Sequence, residues 1–315
     1  MRVVALVPGG IGDQILFFPT LDDLKQNYPN AQIDVVVEPR AKEAYRICKA
    51  VTNVLLFDYQ DRNSAADWVN LVGILRDREY DVAISLGQRW FVGLLLWLTG
   101  IPTRIGYKGA SNMFLTNSVP IKSQQYAAAM YHDLLQGLGI RSSCPELNVN
   151  LPSSDLHWAE EEKKRLGIQS SGYVLLCDGY EQLMPDQSYP VDSWQKIIQD
   201  FQQKQPELPL VALQNPDSGQ LAQLQSNADA DVKLTSPPDV GKLAAMIAGA
   251  DLLLSTGGVS LQLAVAVQTY TIALFGLTEP AKVLPKSDRY IAIKSPSGRI
   301  ADIPPQTVLE RIWRG

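Results

Sequence analysis

Apolar residues in this chain fall in short unbroken runs rather than in strict alternation, the pattern of strands covered on both faces. Such runs at 2–7, 31–37, 53–57, 81–86 and 103–107 predict parallel strands. Between them, segments 13–27, 40–50, 64–78, 89–99 and 124–138 carry apolar positions at helical spacing. Tyr28-Pro29-Asn30 stops the first helix before the second strand begins. This alternation predicts an α/β, doubly wound parallel sheet. The segment 142–154, rich in Pro, Ser and Asn, reads as a linker. After a charged helix at 155–166 the alternation restarts, with strands at 172–177, 208–213, 231–234, 251–255 and 270–275 and helices at 191–204, 217–226, 239–249 and 259–267. Two Rossmann-like domains are expected, 1–150 and 151–304, with their sheets facing across a cleft. A final helix within 305–315 is placed to pack back on the first domain.

One run stands apart. Trp90-Phe91-Val92-Gly93-Leu94-Leu95-Leu96-Trp97-Leu98-Thr99-Gly100 has no charge, but it is far shorter than the ~20 residues needed to cross a bilayer. It reads as a helix buried between sheet and neighbouring helices, the alternative being a lipid-facing surface.

Composition adds limits. A length of 315 residues suits two domains, and 46% hydrophobic with 19% charged residues describes a globular protein. Charges balance over residues 1–150, so the net −5 falls on the remainder, which argues against nucleic acid as a partner and against strong attachment to anionic lipid. The three cysteines, Cys48, Cys144 and Cys177, are scattered, and His132 and His157 are the two histidines. Neither a disulfide framework, a zinc site nor a Ser–His–Asp triad is indicated. With no charged leader before an apolar core, a cytoplasmic location is expected.

The sharpest chemical signal is Val7-Pro8-Gly9-Gly10-Ile11-Gly12-Asp13-Gln14, where an apolar strand ends, glycines turn the backbone, and an acid stands at the start of a helix. In an open parallel sheet this is the ligand crevice. The helix dipole favours an ionised Asp13, a group suited to take a proton from a bound hydroxyl, with Gly10, Gly12 and Gln14 beside it in the cleft. One rival reading is a dinucleotide fingerprint with Gly10, Gly12 and Glu38, but Ile15 occupies the place of its third glycine. Another is a plain glycine turn in which Asp13 only caps the helix.

Several segments, in order, resemble glycosyltransferase family 9, the heptosyltransferases of lipopolysaccharide core assembly. At the N-terminus these are Gly12-Asp13, Phe18-Pro19, Leu24-Lys25 and Pro29; midway, Tyr80-Asp81 and Arg104-Ile105-Gly106-Tyr107. Later come Tyr189-Pro190, Trp194, Ala250-Asp251, Leu263-Ala264-Val265-Ala266 and Ala273-Leu274-Phe275-Gly276-Leu277-Thr278-Glu279-Pro280. The resemblance implies a GT-B fold and inverting transfer of a heptose-like sugar from a nucleotide-diphosphate sugar, without a required metal or other cofactor. The donor would bind the C-terminal domain and a glycan or glycolipid acceptor the N-terminal one, with Asp13 as general base. A peripheral contact with the inner face of the cytoplasmic membrane is compatible with this.

This chain departs from the family pattern at the donor motif. Gly257 stands where the family has an acid, Gln262 where it has histidine, and Gln187 where it has lysine. The turn Ser255-Thr256-Gly257-Gly258 nevertheless offers backbone N–H groups to a phosphate, with Ser260, Gln262 and Thr278 as further donors. The departures keep a second function class open, a sugar-nucleotide-binding or assembly protein without catalysis. His132 reads as a surface or interdomain residue, Asp217 as a helix cap or ribose contact, and Glu160 to Arg165 as a solvated helix face with acids before bases.

Overall fold

A computed structural model describes residues 1–59, 63–169, 171–179, 188–214, 221 and 232–314. The chain divides into two compact units, Met1–Asn150 and Leu151–Gly315, and the division falls inside the Pro-, Ser- and Asn-rich segment.

In the first unit, β1 (Arg2–Val7), β2 (Gln32–Val37), β3 (Asn53–Leu56), β4 (Val82–Ser85), β5 (Thr103–Tyr107) and β6 (Asn117–Val119) form one parallel sheet. Its strand order is β3-β2-β1-β4-β5-β6. β1 lies at the centre, and Val3 to Val7 are at most 1% exposed, because helices cover both faces. These helices are α1 (Ile11–Asn27), α2 (Ala65–Asp77), α3 (Trp90–Leu98) and α4 (Ala127–His132).

The second unit repeats the plan. Its strands are β7 (Val174–Cys177), β8 (Leu210–Leu213), β9 (Val232–Thr235), β10 (Leu252–Ser255), β11 (Thr271–Phe275) and β12 (Tyr290–Lys294), in the order β12-β11-β10-β7-β8-β9. Around them lie α5 (Ser153–Leu166), α6 (Val191–Lys204), α7 (Val240–Ala248), α8 (Val259–Ala266), α9 (Pro280–Val283) and α10 (Pro305–Arg314). Both sheets therefore have the doubly wound order in which chain direction reverses beside the first strand, and ligands bind where the carboxyl ends of the strands flank that reversal. In the first unit the place lies between β1 and β4, in the second between β7 and β10.

Several expectations need correction. Segment 40–50 is not an α-helix: Pro39–Ile47 is a 3₁₀ segment whose buried Ala41, Ala44 and Ile47 recur every third residue, the spacing that stacks side chains on one edge of that tighter helix. Segment 124–138 is α4 followed by 3₁₀ turns over Asp133–Leu138, ended by Gly139 at φ 81°. The apolar helix α3 is only half buried. Val92, Gly93, Leu95 and Leu96 face the core, whereas Trp90, Trp97 and Leu98 are exposed.

On α5, Glu160, Glu161 and Glu162 pair with Lys163, Lys164 and Arg165, but Glu162 is buried and also accepts from Thr235. Helix α10 packs on α6 of its own unit: the Trp313 ring lies 5.0 Å from that of Phe201 and its Nε1 donates to Asp200 at 2.6 Å. The expected helix 217–226, with Asp217, lies outside the described residues, as does Gln187.

Candidate functional site

The first unit builds its turn from the end of β1. Gly9 has φ 114°, a conformation that favours glycine, and a side chain there would run into the Asp13 carboxylate. Its N–H donates to Glu38 Oε1 at 3.0 Å, while Arg40 Nε donates to Glu38 Oε2 at 2.9 Å. Glu38 is thus a buried brace for the turn. Helix α1 begins at Ile11, so Asp13 sits in its first turn rather than at its start. Asp13 Oδ2 accepts the N–H of Gly10 at 3.0 Å and Oδ1 accepts the hydroxyl of Tyr131 at 3.3 Å.

Asp13 therefore caps the helix and also remains partly accessible. Burial raises its pKa above the ordinary carboxylate value, offset in part by the Gly10 N–H, the Tyr131 hydroxyl and Arg40. Desolvation outweighs the hydrogen bonds and the Arg40 charge that favour the ionised form. The result is a more basic carboxylate than an exposed aspartate.

Tyr131 owes its position to a buried contact between α1 and α4. The next residue, His132, is buried with Nε2 2.8 Å from Asp23 Oδ2, and Ser142 donates to the same carboxylate oxygen. His132 is buried against α1 of its own unit rather than at the surface. Gln14 is also misplaced by the sequence reading. It is wholly buried, its Nε2 donating to the Val7 carbonyl at 3.0 Å and its Oε1 accepting from Tyr45 at 2.8 Å, so it holds the turn rather than facing the expected cleft.

Beside the turn, a cavity of about 450 Å³ opens at the β1/β4 reversal, lined by Pro8, Gly9 and Glu38 and by Ser85 to Arg89. Gly9 is on its wall; Gly10, Gly12, Asp13 and Gln14 are not.

In the second unit, β10 runs through Thr256 into Gly257 and Gly258, at φ 113° and 78°, and then into α8. The N–H groups opening a helix lack intrahelical partners, which makes this turn a natural anion cradle. A cavity of about 450 Å³ lies there, lined by Thr256, Gly257, Gly258, Gly276, Leu277, Thr278 and Gly298 among others. Four expected donor residues, Thr256, Gly257, Gly258 and Thr278, are on its wall.

Three are not. Ser255 and Ser260 have no exposed surface: Ser255 Oγ accepts the Gly257 N–H at 3.1 Å, Ser260 Oγ donates to the Gly257 carbonyl at 3.1 Å, and Cys177 donates to Ser260. Both hydroxyls are used in holding the turn. Gln262 is 4% exposed, with Nε2 3.5 Å from the Val283 carbonyl and Oε1 without a partner among the described residues.

Two features of this site escaped the sequence reading. Strand β12 and the following residues bring Gly298 so close to Gly276 that a side chain on the latter would strike the Gly298 carbonyl. Asp178, at the carboxyl end of β7, accepts the Tyr189 N–H at 3.1 Å and the Thr256 hydroxyl at 3.3 Å. Burial pushes its pKa up to about 6. An acid directly after the predicted strand 172–177 was the signal that could have found it.

Among the described residues no cluster of three or more His, Cys, Asp or Glu is arranged to hold a metal ion, and no helix is long and apolar enough to cross a membrane.

Residues 68–312 match the model of Glycosyltransferase family 9 (heptosyltransferase). The chain is 22% identical to the photosynthetic NDH subunit of subcomplex B 1 of Arabidopsis thaliana, over 98% of this chain and 72% of that protein. It is 24% identical to lipopolysaccharide heptosyltransferase 3 of Escherichia coli, over 85% of this chain and 81% of that one. Among solved structures, the ADP-heptose heptosyltransferase II of Escherichia coli superposes with a TM-score of 0.80 at 17% identity, covering 100% of this chain and 98% of that one. A glycosyl transferase family 9 protein from Veillonella parvula gives 0.84 at 17% identity, covering 99% and 96%. The likeness to these structures establishes the GT-B fold.

Proposed function

The chain belongs to glycosyltransferase family 9, and from that premise we propose that it transfers a sugar from a nucleotide-diphosphate sugar to a glycan or glycolipid hydroxyl with inversion. The observation that carries this reading is Asp13, a partly accessible carboxylate of raised basicity packed against Gly9, which lines the β1/β4 cavity. The acceptor O–H proton passes to Asp13 as the oxygen bonds the anomeric carbon. In the same displacement the bond from that carbon to the diphosphate breaks, and its electron pair leaves with the nucleoside diphosphate. Charge growing on the diphosphate would be met by the N–H groups that open α8 from Gly258 onward and by the Thr278 hydroxyl, with no lysine required.

A second reading, a family member that binds sugar nucleotides or a partner without catalysis, draws support from one relative that spans nearly the whole chain and bears the name of a complex subunit. The departures expected at Gly257 and Gln262 motivate it further. A thermal-shift panel of nucleotide sugars, ADP- and GDP-linked first, tests binding: a donor at ~100 times its Kd stabilises the fold by about 2.7 kcal/mol. A protein that is stabilised by a donor yet transfers to no acceptor belongs to the second reading. One that no nucleotide sugar stabilises contradicts the transferase reading and leaves only the partner-binding form of the second.

A further inference from the structure

A second cavity of about 400 Å³ lies between α2 and α3 of the first unit, and its walls are solely Ala, Val, Leu, Phe and Trp side chains. Trp68, Val69 and Val72 on α2 stand opposite Phe91, Leu94 and Leu98 on α3. Both sets follow helical spacing, so each helix turns a continuous apolar stripe into the groove. The rim is open to water, with Val69 70% and Leu98 48% exposed. Apolar side chains set around a concave, solvent-open groove mark a binding surface rather than chance exposure.

What identifies the occupant is the groove's continuity with the polar cavity at the β1/β4 reversal. Trp68 and Phe91, in edge contact at 5.2 Å, line both. On the polar side, the Arg89 guanidinium lies 5.9 Å from the centre of the Phe91 ring, with Ser85 and Gln88 on the same wall. A polar compartment thus adjoins an apolar one across a shared aromatic partition. The ligand chemistry that fills both is an amphiphile.

We propose that the α2/α3 groove binds the hydrocarbon chain of a lipid-linked glycan acceptor whose polar part occupies the adjoining cavity. The word acceptor rests on the transferase reading; chain binding does not.

The test uses the full-length protein with hexyl, octyl and decyl maltosides below their micelle concentrations, followed by calorimetry and tryptophan emission. Saturable binding is expected, tightening roughly threefold to fourfold for each added methylene, with no binding of maltose alone. V69E and L98E, at exposed rim positions, should each weaken binding about tenfold or more, since a charge would face the buried chain. Their thermal response to nucleotide sugars should be that of the wild type. Binding indifferent to chain length, or unaffected by both substitutions, overturns the proposal. So does sedimentation with phosphatidylcholine vesicles without alkyl maltoside binding, which would make the face a bilayer contact. A dimer dispersed by V69E without alkyl maltoside binding would make it an interface between copies. Absence of any nucleotide-sugar response, with chain binding intact, would instead fail the transferase reading and leave the groove assigned.

Discussion

The β1–α1 and β10–α8 turns solve the same local problem with opposite use of their polar side chains. Each ends a central strand, passes through positive-φ glycine and opens a helix. At the first, Gln14 and one Asp13 oxygen bond the turn's backbone, and further braces come from elsewhere: Glu38 after β2 holds the Gly9 N–H, and Tyr131 on α4 reaches Asp13. The turn's own carboxylate is left partly open, with its basicity raised. At the second, Ser255 and Ser260 brace the turn from within, so its backbone, Thr256 and the nearby Thr278 face the cavity. A polar residue in a glycine-rich turn is available for chemistry only if bracing the turn leaves part of it exposed, as at Asp13 and not at Ser255 or Ser260. The first turn is therefore suited to proton transfer and the second to holding an anion.

Substitutions separate these roles. The largest effect is expected for Gly9→Ala, which forces a side chain into positive φ and against the Asp13 carboxylate. Strain of this kind costs about 1–3 kcal/mol, and displacement of Asp13 should abolish transfer while donor binding persists. Chemical denaturation and a donor titration on the same sample check both.

Asp178→Asn probes the second turn's buried acid. A folded pKa of about 6, above the unfolded value, means that the wild type holds its proton more tightly when folded. Stability should thus fall as pH rises from about 4 to 6 and level off above. The variant should lack that decline and be more stable at pH 8 by roughly 3 kcal/mol. Urea melts across this range would show it; parallel curves for both proteins would contradict the burial argument.

Gly258→Val crowds a backbone at φ 78° where a phosphate would approach. Donor affinity should weaken about tenfold, in line with strain of roughly 1–2 kcal/mol, and the β1/β4 cavity should be unaffected. Calorimetry with the best nucleotide sugar reads this. A smaller effect is expected for Tyr131→Phe. Its hydroxyl lowers the Asp13 pKa, so its loss should move the acidic limb of the transfer pH profile upward by a fraction of a unit with little change in stability.

How far this comparison could be read from sequence follows from what each residue faces. The central strands were legible because burial on both faces makes them unbroken apolar runs, as in β1 and β10. Strands β6 and β12 were not, since Asn117–Val119 is short and polar and Tyr290–Lys294 is only partly buried. Asp13 stood out as an acid at a glycine turn. The direction of Ser255, Ser260 and Gln14 could not be read, because which backbone group a side chain satisfies depends on atoms brought together by the fold. His132 looked peripheral for the same reason: its partner, Asp23, lies a whole sheet away in sequence.

The central claim, that the first turn does chemistry and the second binds donor, is tested most directly by Asp13→Asn. The amide keeps the size and an acceptor for the Gly10 N–H and removes the base. Single-turnover transfer and donor calorimetry on this variant should show a rate lower by ~10²–10⁴ with donor affinity within about twofold of wild type. Undiminished transfer, or donor affinity that collapses with the rate, would contradict the account.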